Sequence, residues 1–198
     1  MNLDIIVVAN HHRKALILDH LNGITHRVSY TNDYVLPESF KPEVLGLVQP
    51  WCHLGVLRCF KGHQDAIRMC DKDNVLLFED DAVPNNPDWI NIVADSISLL
   101  NTFEMVSFHG RCYDRSLYKE FKEIRPGNNF LYIPNKQGRI CVHGALAYML
   151  NRRIFEKVLS WNYVGDPIDT LLVNALNFCL LEKSPFNHDR SEGSLLDV

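Results

Sequence analysis

The stretch "LLFEDDAVPNNPDW", residues 76–89, joins an apolar run to three consecutive acids and then to a turn that contains two prolines. Residues 75–78 are predicted to form a buried strand, because they are a short apolar run bounded by polar residues. Side chains alternate along a strand, so Glu79 and Asp81 point to one side and Asp80 points to the other. Two acids on one side can converge on a single cation, as in an acid-x-acid metal clamp.

These acids also have a simpler explanation. Three acids at a strand end can form a solvated turn or favour the N-terminus of the next helix. Asp88, beside Pro87, fills that capping role better. Carboxylate oxygens are the hard ligands that suit Mn²⁺ or Mg²⁺, which keep coordination positions open for substrate phosphates. From the residues alone, a metal site and a solvated acidic turn remain open alternatives.

Strand and helix patterns alternate on both sides of this stretch. The predicted strands are residues 3–10, 24–31, 104–110, 129–135, 141–150 and 178–186, and the predicted helices are 12–21, 52–70, 87–100, 152–161 and 167–177. This order predicts an α/β fold with a mostly parallel central sheet and helices on both faces. Ligands of such sheets bind beyond the carboxyl ends of the strands.

Composition narrows the classes of function. The 198 residues, 46% of them hydrophobic, suffice for a single well-packed domain. The net charge is −4 and the basic residues form no run, which argues against a nucleic acid partner. The six cysteines form no C-x-x-C pair and are expected to be free thiols. With no membrane-span or signal-peptide pattern, we expect a cytoplasmic protein, unless a longer parent chain carries an anchor.

Two motifs around the acidic strand resemble a known enzyme family. "GVLRCFKGHQDAI", residues 55–67, places Gly55, Cys59 and His63 as in the G-x-x-x-C-x-x-S-H helix of glycosyltransferase family 25. Gly62 stands where that family usually has serine. The acidic strand follows this helix at the family's distance.

Two later motifs resemble the same family. "HGALAYMLNRRIFEKVL", residues 143–159, resembles its G-T-x-A-Y-x-(I/L)-S-R-x-x-A-x-x-L segment, although the order at residues 143–145 differs from the usual Gly-Thr-His. "PIDTLL", residues 167–172, resembles its P-(V/I)-D element. The four motifs occur in the family's order across residues 55–172. The chain also resembles the small glycosyltransferase domains encoded by large chlorella viruses.

The resemblance implies a GT-A fold in one domain, with a nucleotide-binding half at about residues 1–110 and an acceptor half at about 111–198. It implies a nucleotide-sugar donor, with a UDP-sugar expected, a glycan or protein-linked glycan acceptor, and Mn²⁺ or Mg²⁺ as cofactor. A viral enzyme of this kind is expected in the host cytoplasm. The resemblance also identifies residues 79–81 as a D-x-D-type motif.

Glu79, Asp81 and His188 are the candidate ligands of the cation. Asp81 is predicted to be a direct ligand, and Glu79 is predicted to act directly or through water. Asp80 is expected to contact the ribose or the donor sugar. GT-A enzymes often take one more ligand from near the C-terminus, and His188 lies there in a polar segment expected to be flexible. A disordered end with a chance histidine is the alternative.

Further donor contacts are expected beyond the first strand and on the 52–70 helix. Their candidates are Ala9, Asn10, His12, Arg13, Arg58 and His63. The residues after the first strand are placed to meet the nucleobase and ribose, with an ordinary polar loop as the alternative. Arg58 and His63 are placed to approach the base or diphosphate, although His63 can equally brace the acidic loop.

An inverting glycosyltransferase needs a carboxylate base that takes the proton from the acceptor hydroxyl. Asp169 is predicted to be that base, and Asp114 is the reserve candidate. Asp169 can instead complement a helix dipole, with Asp166 as the N-cap. Two other functions remain open: a metal-dependent phosphodiesterase or nuclease, and a non-catalytic domain that binds a nucleotide sugar.

Overall fold

The computed structural model has an α/β fold in which helices lie on both faces of a central sheet. It describes residues 2–11, 14–31, 34–35, 53–109, 111–112, 122–124, 130–132 and 142–189. Within this part of the chain, no helix is long and apolar enough to span a membrane.

The described residues form strands, α-helices and short 3₁₀ helices. The strands are β1 (Leu3–Ala9), β2 (Arg27–Tyr30), β3 (Asn74–Glu79), β4 (Ala82–Pro84), β5 (Met105–Ser107), β6 (Arg111–Cys112), β7 (Lys122–Glu123), β8 (Phe130–Tyr132), β9 (Val142–His143), β10 (Ala147–Asn151), β11 (Phe178–Leu181) and β12 (Phe186–His188). The α-helices are α1 (His53–Arg68), α2 (Trp89–Ser96), α3 (Phe155–Leu159) and α4 (Ile168–Ala175), and the 3₁₀ helices are Leu16–His20, Ile97–Asn101 and Arg152–Ile154.

Among the described residues, the central sheet has eight strands in the order β2-β1-β3-β10-β5-β11-β8-β7. Strands β10 and β8 run antiparallel to their neighbours, and the other six point in one direction. The sheet is therefore mostly parallel in strand direction, as the sequence predicted. Two further pairs, β4 with β12 and β6 with β9, lie outside it.

Alternate side chains of β1 supply two hydrophobic cores, one on each face of the sheet. Ile5 and Val7 belong to the core that α2 and the first 3₁₀ helix cover. Ile6 and Val8 belong to the core that α1, α3 and α4 cover. Because both faces of β1 are buried, its sequence is a continuous apolar run rather than an alternating one.

Helix α1 packs very closely on the sheet at Gly62. A Cβ on this residue would lie 2.8 Å from Thr31 Cγ2 and 3.0 Å from Val8 Cγ1. The serine expected from the family resemblance would therefore require neighbouring side chains to shift. This close approach fixes the height of Cys59 and His63 above the sheet.

Two predicted elements take a different form. The helix predicted over residues 12–21 is a 3₁₀ helix at Leu16–His20, and residues 12–13 lie outside the described part. The strand predicted over residues 141–150 is two strands, β9 and β10, because Gly144 adopts a φ of +122° between them. A Cβ there would lie 3.0 Å from the His109 carbonyl oxygen, so only glycine fits without strain.

Other predicted ends and caps also differ. The strand predicted over residues 178–186 is two strands, β11 and β12, which belong to different sheets. Helix α2 continues after Ser96 as a 3₁₀ helix. Asp88 occupies its N-cap position but makes no side-chain cap bond, because its Oδ1 accepts from Asn91 Nδ2 at 2.7 Å.

Candidate functional site

Strand β3 carries the acidic residues to the carboxyl edge of the sheet. It lies between β1 and β10, so Leu77 and Phe78 are fully buried. Glu79 is its last residue, pairs with Val8 of β1, and donates its backbone N–H to the Leu146 carbonyl at 2.9 Å. The Glu79 side chain is 16% exposed, so its carboxylate emerges from the sheet while its backbone stays fixed.

His188 reaches the same edge through β12. This strand pairs with β4 and places His188 opposite Ala82. Phe186, almost fully buried against Phe78 and Trp89, anchors the strand in the core. The sequence predicted a flexible segment here, and that prediction is wrong at His188, which lies in a strand. Residues 190–198 lie outside the described part.

Glu79, Asp81 and His188 meet at one point. Each offers a ligand atom, and these atoms all lie within 4.8 Å of one another. His188 Nε2 is 2.7 Å from Asp81 Oδ2. Two carboxylates and one imidazole form a donor set that suits Mn²⁺, which accepts oxygen and imidazole ligands. The residues therefore fit the cation that the resemblance implies.

Asp80 lies on the opposite side of the chain from this cluster. Its side chain is fully buried, and its Oδ2 accepts the backbone N–H of Asn10 at 2.9 Å. The Asp80 carbonyl accepts the Leu16 N–H at 2.7 Å. Asp80 thus ties the segment that follows β1 to the end of β3, and its expected contact with ribose or sugar stays a prediction.

A layer of α1 and β10 side chains lies beneath Glu79. His63 is fully buried, with Nδ1 at 2.7 Å from the Tyr148 hydroxyl and Nε2 at 3.5 Å from Glu79 Oε1. Cys59 Sγ donates to the same Glu79 oxygen at 3.7 Å. His63 therefore lies between Tyr148 and Glu79, and which of its two predicted roles it has stays a prediction.

This layer sets the charge of the cluster. Burial alone would raise the pKa of Glu79, but the adjacent His63 imidazole, the charge of His188 and the Cys59 thiol lower it below its ordinary value. Burial, with the nearby carboxylate charges of Glu79 and Asp169, raises the pKa of Cys59 well above that of a free thiol. Glu79 is thus held as a carboxylate and Cys59 as a thiol.

Asp169 lies in the first turn of α4. Its Oδ2 accepts the backbone N–H of Gly144 at 2.9 Å, and its Oδ1 accepts the N–H of Thr170 at 2.8 Å. Pro167 occupies the N-cap position, so Asp166 is not the N-cap, but the first-turn position of Asp169 fits the alternative in which it complements the helix dipole. Asp169 joins α4 to the turn between β9 and β10, and its role as a base stays a prediction.

Some of the remaining predicted residues lie in the described part of the chain, and the others lie outside it. Ala9 and Asn10 are buried at the carboxyl end of β1, and Arg58 is half-buried on α1. Predicted residues that lie outside the described part are His12, Arg13 and Asp114.

An exposed aromatic pair at the same edge of the sheet was not predicted. The rings of His11 and Tyr30 stack with centroids 4.4 Å apart and planes 13° from parallel. His11 is exposed and Tyr30 is 46% exposed, at the carboxyl ends of β1 and β2. The position of each residue just after or at the end of a predicted parallel strand was the signal that could have identified them.

Comparisons with other proteins support the fold. No protein-family model and no curated protein matches the chain. Among solved structures, A197 from STIV has a TM-score of 0.52 and 13% identity, and the match covers 96% of this chain and 87% of A197. At that identity the similarity supports the shared fold alone.

Two other solved structures are more distant. A glycosyltransferase involved in the glycosylation of the major capsid of PBCV-1 has a TM-score of 0.37 and 12% identity, over 78% of this chain and 63% of that one. HddC from Yersinia pseudotuberculosis has a TM-score of 0.38 and 10% identity, over 91% of this chain and 69% of HddC.

Proposed function

We propose that this protein is a metal-dependent glycosyltransferase that moves a sugar from a nucleotide diphosphate sugar, with a UDP-sugar as the expected donor, to a glycan or protein-linked glycan. The observation that carries the proposal is the meeting of Glu79, Asp81 and His188 at the carboxyl edge of an α/β sheet. This is the edge at which such sheets bind nucleotides.

Glu79, Asp81 and His188 would hold Mn²⁺ or Mg²⁺, which supplies Lewis-acid stabilisation of the diphosphate leaving group. The chain holds Glu79 as a carboxylate and fixes the positions of Asp81 and His188. His63 and Cys59 hold Glu79 as a carboxylate, and the β4–β12 pair sets the 2.7 Å approach of His188 to Asp81. The site is therefore organised before a donor arrives, which lowers the cost of reorganisation during transfer.

The donor base and ribose are assigned to the carboxyl ends of β1 and β2. Asp80 fixes the Asn10 backbone there through its 2.9 Å hydrogen bond. The stacked His11 and Tyr30 rings present an exposed aromatic face beside Asn10. Bases stack on such faces. Asn10, His11 and Tyr30 bind the donor and orient it relative to the Glu79–Asp81–His188 cluster.

Asp169 is proposed as the base that takes the acceptor proton if the reaction inverts the anomeric centre. Its two oxygens already accept backbone N–H groups, which fix the orientation of the carboxylate. Asp114 remains the reserve, and a retaining enzyme would need neither in this role.

The free thiols of Cys59, Cys70 and Cys179 support a cytoplasmic location.

The proposal is tested by incubating the protein with a panel of nucleotide sugars and Mn²⁺ and measuring release of the nucleoside diphosphate. Slow hydrolysis of one UDP-sugar, abolished by a chelator, is expected. Binding of the same UDP-sugar without any release, even with candidate glycan acceptors, would identify a non-catalytic binding domain. Hydrolysis of phosphodiesters in place of sugar release would identify a phosphodiesterase.

A further inference from the structure

Three potential metal ligands form a second cluster beneath Glu79. They are Cys59 and His63 from α1 and Glu79 itself from β3. Their ligand atoms lie within 4.8 Å of one another. We propose that these three residues bind a soft divalent cation of the Zn²⁺ class, at a site that adjoins the Glu79–Asp81–His188 cluster and shares Glu79 with it. This inference does not rest on the proposed function.

Two of the three separations between the ligand atoms match a tetrahedral zinc site. With Zn–S near 2.3 Å and Zn–N and Zn–O near 2.1 Å, tetrahedral geometry separates sulfur from oxygen by about 3.6 Å and nitrogen from oxygen by about 3.4 Å. The observed separations are 3.7 Å from Cys59 Sγ to Glu79 Oε1 and 3.5 Å from His63 Nε2 to the same oxygen. The ligand atoms of Cys59 and His63 lie within 4.8 Å of each other, so Glu79 is already placed for coordination relative to both.

The second ring nitrogen of His63 is oriented to bind a cation. His63 Nε2 is fully buried and has no hydrogen-bond partner among the described residues, although a carboxylate oxygen lies 3.5 Å away. Metal binding requires the neutral tautomer that donates Nδ1–H to the Tyr148 hydroxyl, and in that tautomer the lone pair of Nε2 faces the Glu79 carboxylate. A metal-bound histidine usually has its other nitrogen held in this way. A cation between Nε2 and Oε1 satisfies both atoms.

The local structure presents the three ligands together. Cys59 and His63 are four residues apart on α1, so their side chains share one face of the helix. Gly62 allows α1 to approach the sheet closely enough for that face to meet the end of β3. Three protein ligands leave a fourth position open for water or a substrate atom.

The types of ligand atom distinguish the two clusters. Thiolate and imidazole ligands select Zn²⁺ and similar ions, whereas a cluster with two carboxylates suits Mn²⁺ or Mg²⁺. On binding, the Zn²⁺–sulfur bond forms as the Cys59 S–H bond breaks, and the proton leaves to solvent. Both clusters share Glu79, so a cation bound in one cluster changes the electrostatic potential at the other cluster.

The test uses Co²⁺ as a spectroscopic substitute for Zn²⁺, added to the full chain with its thiols reduced. We expect a sulfur-to-cobalt charge-transfer band that saturates with one equivalent and disappears when Zn²⁺ is added. Cys59→Ser should lose the band. The matched control is Cys70→Ser, because Cys70 is a buried free thiol just beyond the C-terminal end of α1 and its variant should keep the band.

Two further variants separate the clusters. Asp81→Asn should keep the charge-transfer band, because Asp81 is a ligand of the other cluster only. Tyr148→Phe keeps all three ligands but loses the support of His63, and it should weaken Co²⁺ binding about 10- to 100-fold. Absence of the band in the wild-type protein would overturn the proposal, as would a band of equal intensity in Cys59→Ser. An absent band in the wild type overturns the proposal whether or not the variants fold.

Discussion

The side chains of His188 and Asp81 meet with 2.7 Å between Nε2 and Oδ2, although the residues are 107 positions apart in the sequence. The β4–β12 pair produces this contact, and the Asp189 N–H adds a 3.0 Å hydrogen bond to the Asp81 carbonyl. Buried Phe186 holds β12 in the core. The shape of the acidic cluster therefore depends on tertiary packing.

His188→Gln should weaken Mn²⁺ binding at least about tenfold, because even residues that only support a ligand contribute that much. Electron paramagnetic resonance of free Mn²⁺ measures the affinity. The matched control is His26→Gln, since His26 contacts the Ile24 carbonyl and lies outside the cluster. An unchanged Mn²⁺ affinity in His188→Gln would remove this residue from the site.

Asp169→Asn should abolish sugar transfer while sparing UDP binding, because an amide cannot accept the acceptor proton. It should also lower the free energy of unfolding by about 1–3 kcal/mol, since Gly144 N–H and Thr170 N–H lose a charged acceptor. Steady-state transfer assays and urea denaturation measure the two effects. Retained turnover would move the base to Asp114 or indicate a retaining reaction.

Gly144→Ala should destabilise the fold by more than the cost of a positive φ alone, which is about 1–3 kcal/mol. Its new Cβ would lie 3.0 Å from the His109 carbonyl oxygen. Gly23→Ala is the matched control, because Gly23 has a φ of +78° but a Cβ added there would meet nothing within 4 Å. Urea denaturation compares the two variants, and equal losses would show that close contact with His109 contributes nothing.

Asp4→Asn should lower the free energy of unfolding by about 1–3 kcal/mol near neutral pH. The Asp4 carboxylate accepts from Arg27 Nη2 at 2.6 Å and from the Asp71 and Lys72 N–H groups at 2.8 and 3.1 Å. Burial raises the pKa of Asp4, but these hydrogen bonds, the Cys70 thiol and the charge of Arg27 outweigh it and hold the pKa below its ordinary value.

The sign of the pH dependence follows from that lowered pKa. The ionised carboxylate stabilises the fold above its unfolded pKa of about 4, and this contribution is lost as the pH falls through the lower folded pKa. The difference between wild type and Asp4→Asn should therefore shrink under acidic conditions. Asp19→Asn is the control, because its exposed pair with Lys14 contributes about 0–1 kcal/mol. A difference that grows on acidification would contradict the account.

Local pattern in the sequence predicted the elements that carry the site. The apolar runs of β1 and β3 and the helical spacing of α1 were sufficient to predict these elements. Strand alternation also separated Glu79 and Asp81 from Asp80, and the structure has the three side chains on those sides. These features depend on residues close together in the chain.

Features that depend on distant residues could not be predicted. The position of antiparallel β10 between β3 and β5 is absent from any local pattern. His188 looked like part of a polar tail because the packing of Phe186 against Phe78 is a tertiary contact. Similarly, the approach of Cys59 to Glu79 depends on the crossing of α1 over the sheet at Gly62.

If Glu79, Asp81 and His188 hold a cation that binds a nucleoside diphosphate, UDP binding must depend on that cation. Calorimetric titration of UDP, with and without Mn²⁺, into wild type, Asp81→Asn and the exposed-surface control Asp95→Asn tests it most directly. We expect UDP binding only with Mn²⁺ in wild type and Asp95→Asn, and its loss in Asp81→Asn. Binding of UDP that is independent of Mn²⁺, or unchanged in Asp81→Asn, would contradict the account.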